Sequence, residues 1–223
     1  MLERLVSNLQ AYPLDYIGHI FILLPVALSI YRRQFLTKEL ILLILFFLTS
    51  FLEECIQLYY SLKAWSNIHL YNLYLIVDIF LVGCIYYQKF EFKIHKKYIV
   101  IATSISIIIS IIFFKYDEFS SVGNTVFRIF STALVLSYFN WLLVEMKIAN
   151  MLLHSFFWIS AGLLLYSLGT FFMYLFSQYT ISAKASSNIF DLYWSVKQIL
   201  YILFCVFSSI GFWVSKYDIK NYV

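Results

Sequence analysis

The sequence predicts an all-α protein whose single domain, residues 1–223, crosses a membrane seven times. Composition is the first observation: 62% of residues are hydrophobic, only 13% are charged, and mean hydropathy is +0.82. A soluble domain carries about twice that charged fraction. The second observation is the length of the apolar runs, which match the roughly 20 residues a helix needs to span a bilayer. The third is the scarcity of turn formers, with two prolines and six glycines. Together with the absence of segments of about 10 residues alternating apolar and polar, this excludes turn-rich β folds and outer-membrane barrels.

The spans fall at about residues 13–31, 39–62, 68–87, 98–114, 121–145, 151–178 and 189–215. The short loops between them predict antiparallel neighbours. The first run is read as a span, not a cleaved leader. Glu3 and Arg4 give no net positive start, and Arg32 and Arg33 follow the apolar stretch. Tyr59, Tyr60, Trp65, Trp141, Tyr179 and Trp213 sit at span ends, where aromatic rings anchor at the interface.

Basic residues set the orientation. With the N-terminus outside, the cytoplasmic segments hold Arg32, Arg33, Lys38, Lys89, Lys93, Lys96, Lys97, Lys147, Lys216 and Lys220. The outer segments hold Arg4, Lys63, Lys115 and Lys184. Ten against four predicts N-out and C-in. The net charge of +4 is thus a topology signal in short loops, and nucleic acid is excluded as a partner. Cys55, Cys84 and Cys205 lie within spans without CxxC spacing, so neither a disulfide framework nor structural zinc is expected.

The fourth span is almost pure Ile, Ser, Thr and Val and reads as a lipid-facing connector. Weakly similar segments flank it: LYLIVDIFL, beginning at Leu73, and LYWSVKQIL, beginning at Leu192. Both run inward from outside, which fits a parallel three-plus-one-plus-three repeat of the kind some transporters carry.

Ionisable groups inside spans are costly and normally face the bundle interior. Asn67, Tyr71, Tyr74 and Asp78 recur at i, i+4, i+7 and i+11 on one face of the third span. Thr49, Glu53, Gln57 and Tyr60 form a stripe on the second, with Glu54 turned by about 100°. Ser121, Asn124, Arg128 and Thr132 align on the fifth. On the seventh, Tyr193, Lys197 and Tyr201 share one face, Asp191 and Gln198 another. Asp15 and His19 lie one turn apart on the first. Arg128 sits roughly 10 Å below the outer end of its helix, at a depth like that of Lys197. The expected site is therefore a chamber open to the outside, with Glu53, Asp78, Arg128, Lys197, Tyr74, Asn67, Asn124 and Tyr193 as its ligand-binding or ion-pairing residues. Structural ion pairs of Glu53 or Asp78 with Arg128 or Lys197 are the alternative reading of the same groups.

Other chemistries fit poorly. Lys197 has no carboxylate one turn before it, unlike a retinal-binding lysine. The four histidines, His19, His69, His95 and His154, do not fall in register for zinc hydrolysis. No GxSxG supplies a serine nucleophile. Gly162, Tyr166, Gly169 and Met173 form a stripe suited to close helix packing. No cofactor, metal or catalytic set is expected.

The segments NIHLYNLYLIVDIFL from Asn67, FFWISAGLLLYSLGTFFMYLF from Phe156 and GFWVSKY from Gly211 resemble an uncharacterised family of bacterial seven-span membrane proteins. In that family the third helix carries Asn, an aromatic-Leu-Tyr run and an acidic residue, usually Glu, where Asp78 stands here. An acidic residue on the second helix matches Glu53 or Glu54, and an arginine on the fifth matches Arg128. Lys197 matches no position of the pattern, so its role stays open. The resemblance implies a bacterial cytoplasmic (inner) membrane and an accessory role beside a sensor histidine kinase.

The leading expectation is a receptor-like or sensory membrane protein that signals through a cytoplasmic partner such as a histidine kinase. The basic loop from Lys89 to Lys97 would be its contact surface, unless those charges serve only topology and lipid headgroups. The alternatives are a small-solute or ion transporter built on the repeat, and an intramembrane enzyme.

Overall fold

The computed structural model describes residues 2–145, 148–180 and 187–218. The described chain is helical: α1 (Leu2–Ala11), α2 (Pro13–Tyr31), α3 (Lys38–Lys63), α4 (Ile68–Lys89), α5 (Lys93–Ile112), α6 (Ser121–Glu145), α7 (Ser155–Leu175), the single turn α8 (Ser177–Thr180) and α9 (Ser187–Asp218). Six of these, α2, α4, α5, α6, α7 and α9, are long and apolar enough to cross a membrane. The chain is a multi-pass helical membrane protein. Lys147, Lys184 and Lys220, which entered the charge count, lie outside the described residues.

Where helices begin and end follows local chemistry. Pro13 opens α2, where its missing N–H costs nothing. The end of α3 closes through Ala64 in the left-handed region, φ 57°, with the Trp65 N–H donating to the Tyr60 carbonyl at 3.0 Å. The expected fourth span starts five residues early, at Lys93, because Lys93, Lys96 and Lys97 can occupy the helix end while their stems run along it. The expected sixth span is interrupted. Met151–Leu153 is a 3₁₀ turn, and α7 begins at Ser155, whose N–H donates to Asp218 at 3.0 Å. The amphipathic α1 has no counterpart among the expected spans.

Six helices close a ring. α2 packs on α3 and α9, α3 on α4, α4 on α6, α6 on α7, and α7 on α9. α5 stands outside, against α4 and α6. Its Tyr98, Ile101, Ile105, Ile108 and Ile112 repeat at helical spacing and are exposed, while Ile99, Ser106 and Ser110 face the bundle. Gly83 on α4 lets α5 approach, since a Cβ there would collide with the Thr103 side chain. At Gly211 on α9 a Cβ would stand 2.8 Å from the Ser155 carbonyl oxygen.

Among the described residues, packing seals the end of the bundle away from α1. Phe46, Phe47, Tyr86, Phe90, Tyr138, Phe156, Phe204 and Phe212 are fully or almost fully buried there and through the middle. Tyr86 on α4 hydrogen-bonds Ser160 on α7 at 3.0 Å. Lys89 pairs with Glu39 at 3.4 Å. His154 donates from Nδ1 to Asp218 at 2.8 Å and accepts at Nε2 from the Tyr138 hydroxyl at 2.9 Å. Ser155 Oγ also donates to Asp218. Trp213 stacks on Tyr31 and carries Arg32 over its face at 4.3 Å.

Candidate functional site

At the opposite end the ring opens into a vestibule of about 920 Å³. Its walls come from the starts of α2, α4 and α9, the end of α3 and the loop at 115–119. Asn8 of α1 reaches across its rim to donate to Ser61 at 3.2 Å. The loop is held by Asn72, whose amide donates to the carbonyls of Lys115 at 2.6 Å and Glu118 at 2.8 Å and accepts from the Ser120 N–H at 3.0 Å. Lys115 donates to Glu118, and that bond holds the Glu118 carboxyl below its usual range.

Most vestibule acids already have partners. Asp15 accepts from Trp194 Nε1 and Gln198 Nε2, both at 2.7 Å. Glu54 pairs with His19 Nε2 at 3.1 Å. Glu53, deeper on the same helix, accepts from Gln57 at 2.6 Å.

Adjoining the vestibule is a small chamber of about 50 Å³ lined by Asn124, Met173, Tyr174, Tyr193 and Lys197. Tyr71, Phe119, Phe190 and Trp194 line both spaces and form an aromatic collar between them. Lys197 is 9% exposed. Its ammonium lies 4.2 Å from the Trp194 ring centre and 5.7 Å from that of Tyr71. No hydrogen bond or ion pair reaches it among the described residues. Glu53, Glu54 and Asp15 act on it only through space.

Arg128 occupies a second enclosure, sharing Tyr174 with the chamber. It is 3% exposed and donates from Nη2 to the Tyr166 hydroxyl at 3.1 Å. Its guanidinium packs at 4.5 Å on Tyr166, 4.5 Å on Tyr174 and 4.9 Å on Phe127. Nε and Nη1 have no hydrogen-bond partner. Asp78 on α4 is a charged neighbour across the seam with α6, without direct contact. Cation–π contacts of about 0.5–2 kcal/mol each offset part of the cost of burying the guanidinium.

The eight expected site residues thus divide. Asn124, Tyr193 and Lys197 line the chamber, and Asn67 lines the vestibule. Glu53, Asp78 and Arg128 line neither space; Glu53 and Asp78 act through space, and Arg128 packs on the chamber-wall residue Tyr174. Tyr74 lines neither space; only the field of Glu53 connects it to the site. The direct pairs considered from sequence are not formed. Among the described residues, the ion pairs of the spans are His19–Glu54 and Lys89–Glu39, with His154–Asp218 at the sealed end. Sequence reasoning missed the aromatic collar. The spacing of Phe190, Trp194 and Lys197, four then three residues, was its available signal.

Fold and site define a polytopic helical membrane protein with a solute-sized cavity at one end of the described bundle. In comparisons with protein-family models, curated proteins and solved structures, nothing matches the chain. The family resemblance drawn from the sequence gains no support from them.

Proposed function

We propose that the protein is a small-solute transporter, captured open to the outer side, with α3 completing seven spans in the N-out, C-in orientation. α3 has 26 residues, and the acids in its outer half, Glu53 and Glu54, face partners inside the bundle. The family resemblance implies the cytoplasmic membrane of a bacterium as its location.

The observation that carries this reading is the ring. Taken in chain order, α2–α4 make one trio and α6, α7 and α9 another, and the trios meet where α4 packs on α6 and α9 packs on α2. Polar or charged groups face each other across both seams: Asp78 and Arg128 across the first, Asp15 with Trp194 and Gln198 across the second. The vestibule and chamber lie between the groups, and the far end is closed. Transporters built from repeats bind at the interface between repeats and rock one against the other. A receptor needs no such division.

The test is uptake into proteoliposomes of labelled carboxylates, amino acids and amines, comparing wild type with Asp78→Asn and Arg128→Gln. Accumulation of one class by wild type, lost in the variants, is the expected outcome. Binding of a solute with no flux in any condition would overturn transport and favour the sensory reading, which co-purification of a histidine kinase would then support.

A further inference from the structure

We propose that the chamber binds an aromatic monocarboxylate, with its carboxylate on Lys197 and its ring in the adjoining aromatic collar. The inference rests on the transport reading only in that both use the same cavity.

The anionic group follows from which charges are already satisfied. Asp15, Glu54 and Glu53 each accept a hydrogen bond at 2.6–3.1 Å. Lys197 is buried, lines the chamber and donates to nothing among the described residues. A largely buried ammonium with three N–H donors unused by the protein favours an acceptor, and a carboxylate supplies charge and lone pairs together. Asn124 lines the same chamber; one of its amide hydrogens goes to the Ser120 carbonyl at 3.0 Å. Its other amide N–H is a candidate second donor to a carboxylate.

Size sets the division of the ligand. A space of about 50 Å³ accommodates a carboxylate but not a ring. The body of the ligand must therefore stand in the collar, where Tyr71, Phe119, Phe190 and Trp194 offer faces and edges for stacking. Phe190 and Trp194 already stack at 5.7 Å, and Tyr71 meets Trp194 edge-on at 6.3 Å.

Charge limits the ligand to one negative group. Asp15, Glu54, Asp117 and Glu118 line the vestibule against Lys115 and His19. A phosphate ester carrying two charges would cross a net acidic mouth to reach one lysine. A cationic amine would be drawn into the mouth but would meet the free ammonium of Lys197 at the end of its path.

Labelled phenylacetate binding to the full chain in nanodiscs tests this, with unlabelled phenethylamine, benzyl phosphate and octanoate as competitors. Saturable phenylacetate binding is expected, weakened about tenfold or more by Lys197→Met and largely retained in Lys197→Arg. Thermal unfolding of each variant separates lost binding from lost fold. If Lys197→Met does not fold, Lys197→Arg and Tyr193→Leu in the chamber wall supply the comparison. Unchanged affinity in Lys197→Met, or stronger competition by phenethylamine, benzyl phosphate or octanoate than by phenylacetate itself, overturns the inference. Phenylacetate binding without uptake would leave it standing and remove transport. Uptake of an amine without phenylacetate binding would do the reverse.

Discussion

The Asp78–Arg128 seam can be weighed by a double-mutant cycle with Asp78→Asn, Arg128→Gln and the combined variant. No ion pair within 4 Å joins the two, so their Coulomb energy has a ceiling. Two unit charges at 4 Å interact by about 4 kcal/mol at an effective dielectric of 20, which sets that ceiling. A coupling of about 1–4 kcal/mol is therefore expected. The single variants should differ. Asp78→Asn leaves a guanidinium that keeps its hydrogen bond to Tyr166 and three aromatic faces, and should cost about 1–2 kcal/mol. Arg128→Gln removes those contacts and strands the carboxylate, and should cost about 3–5 kcal/mol. Helical circular dichroism followed through unfolding in mixed micelles of increasing SDS fraction gives all four stabilities. Coupling within about 0.5 kcal/mol of zero would mean the charges are independent and the seam is not held electrostatically.

Two further outcomes follow from local geometry. Asn72→Leu removes the three hydrogen bonds that pin residues 115–120, and should cost about 1–3 kcal/mol while speeding amide exchange at Ser120; unchanged exchange there would refute the clamp. Ala64→Gly relieves a left-handed residue at the end of α3 and should raise stability by about 1 kcal/mol in the same micelle unfolding assay, whereas a loss would show that the cap is not strained.

The helices were legible because apolar length is a property of the chain itself. Residues 13–31 were read as a span and α2 occupies them. α5 was read as a lipid-facing connector, and it stands outside the ring. Errors came where a partner distant in sequence decides. Nothing near Ser155 announces that Asp218, 63 residues on, will accept its N–H and fix the start of α7. The same holds for the site. Helical periodicity placed Asn67 and Tyr71, and Asn124 and Arg128, on common faces, but it could not rank their depth relative to the walls. Nor could it foresee that Glu54 would take His19 and Asp15 would take Trp194 and Gln198, leaving Lys197 alone. Asn72 escaped notice because it falls between the stripe residues Tyr71 and Tyr74 and its partners are backbone groups of a distant loop.

The outlying position of α5 has a consequence for how the molecule could be divided. Because α5 lends no side chain to the vestibule or the chamber, its part in the fold is to link α4 to α6 from outside the ring. A cut within residues 90–92 would sever no wall of the cavity. The two pieces would still own every surface by which they recognise each other.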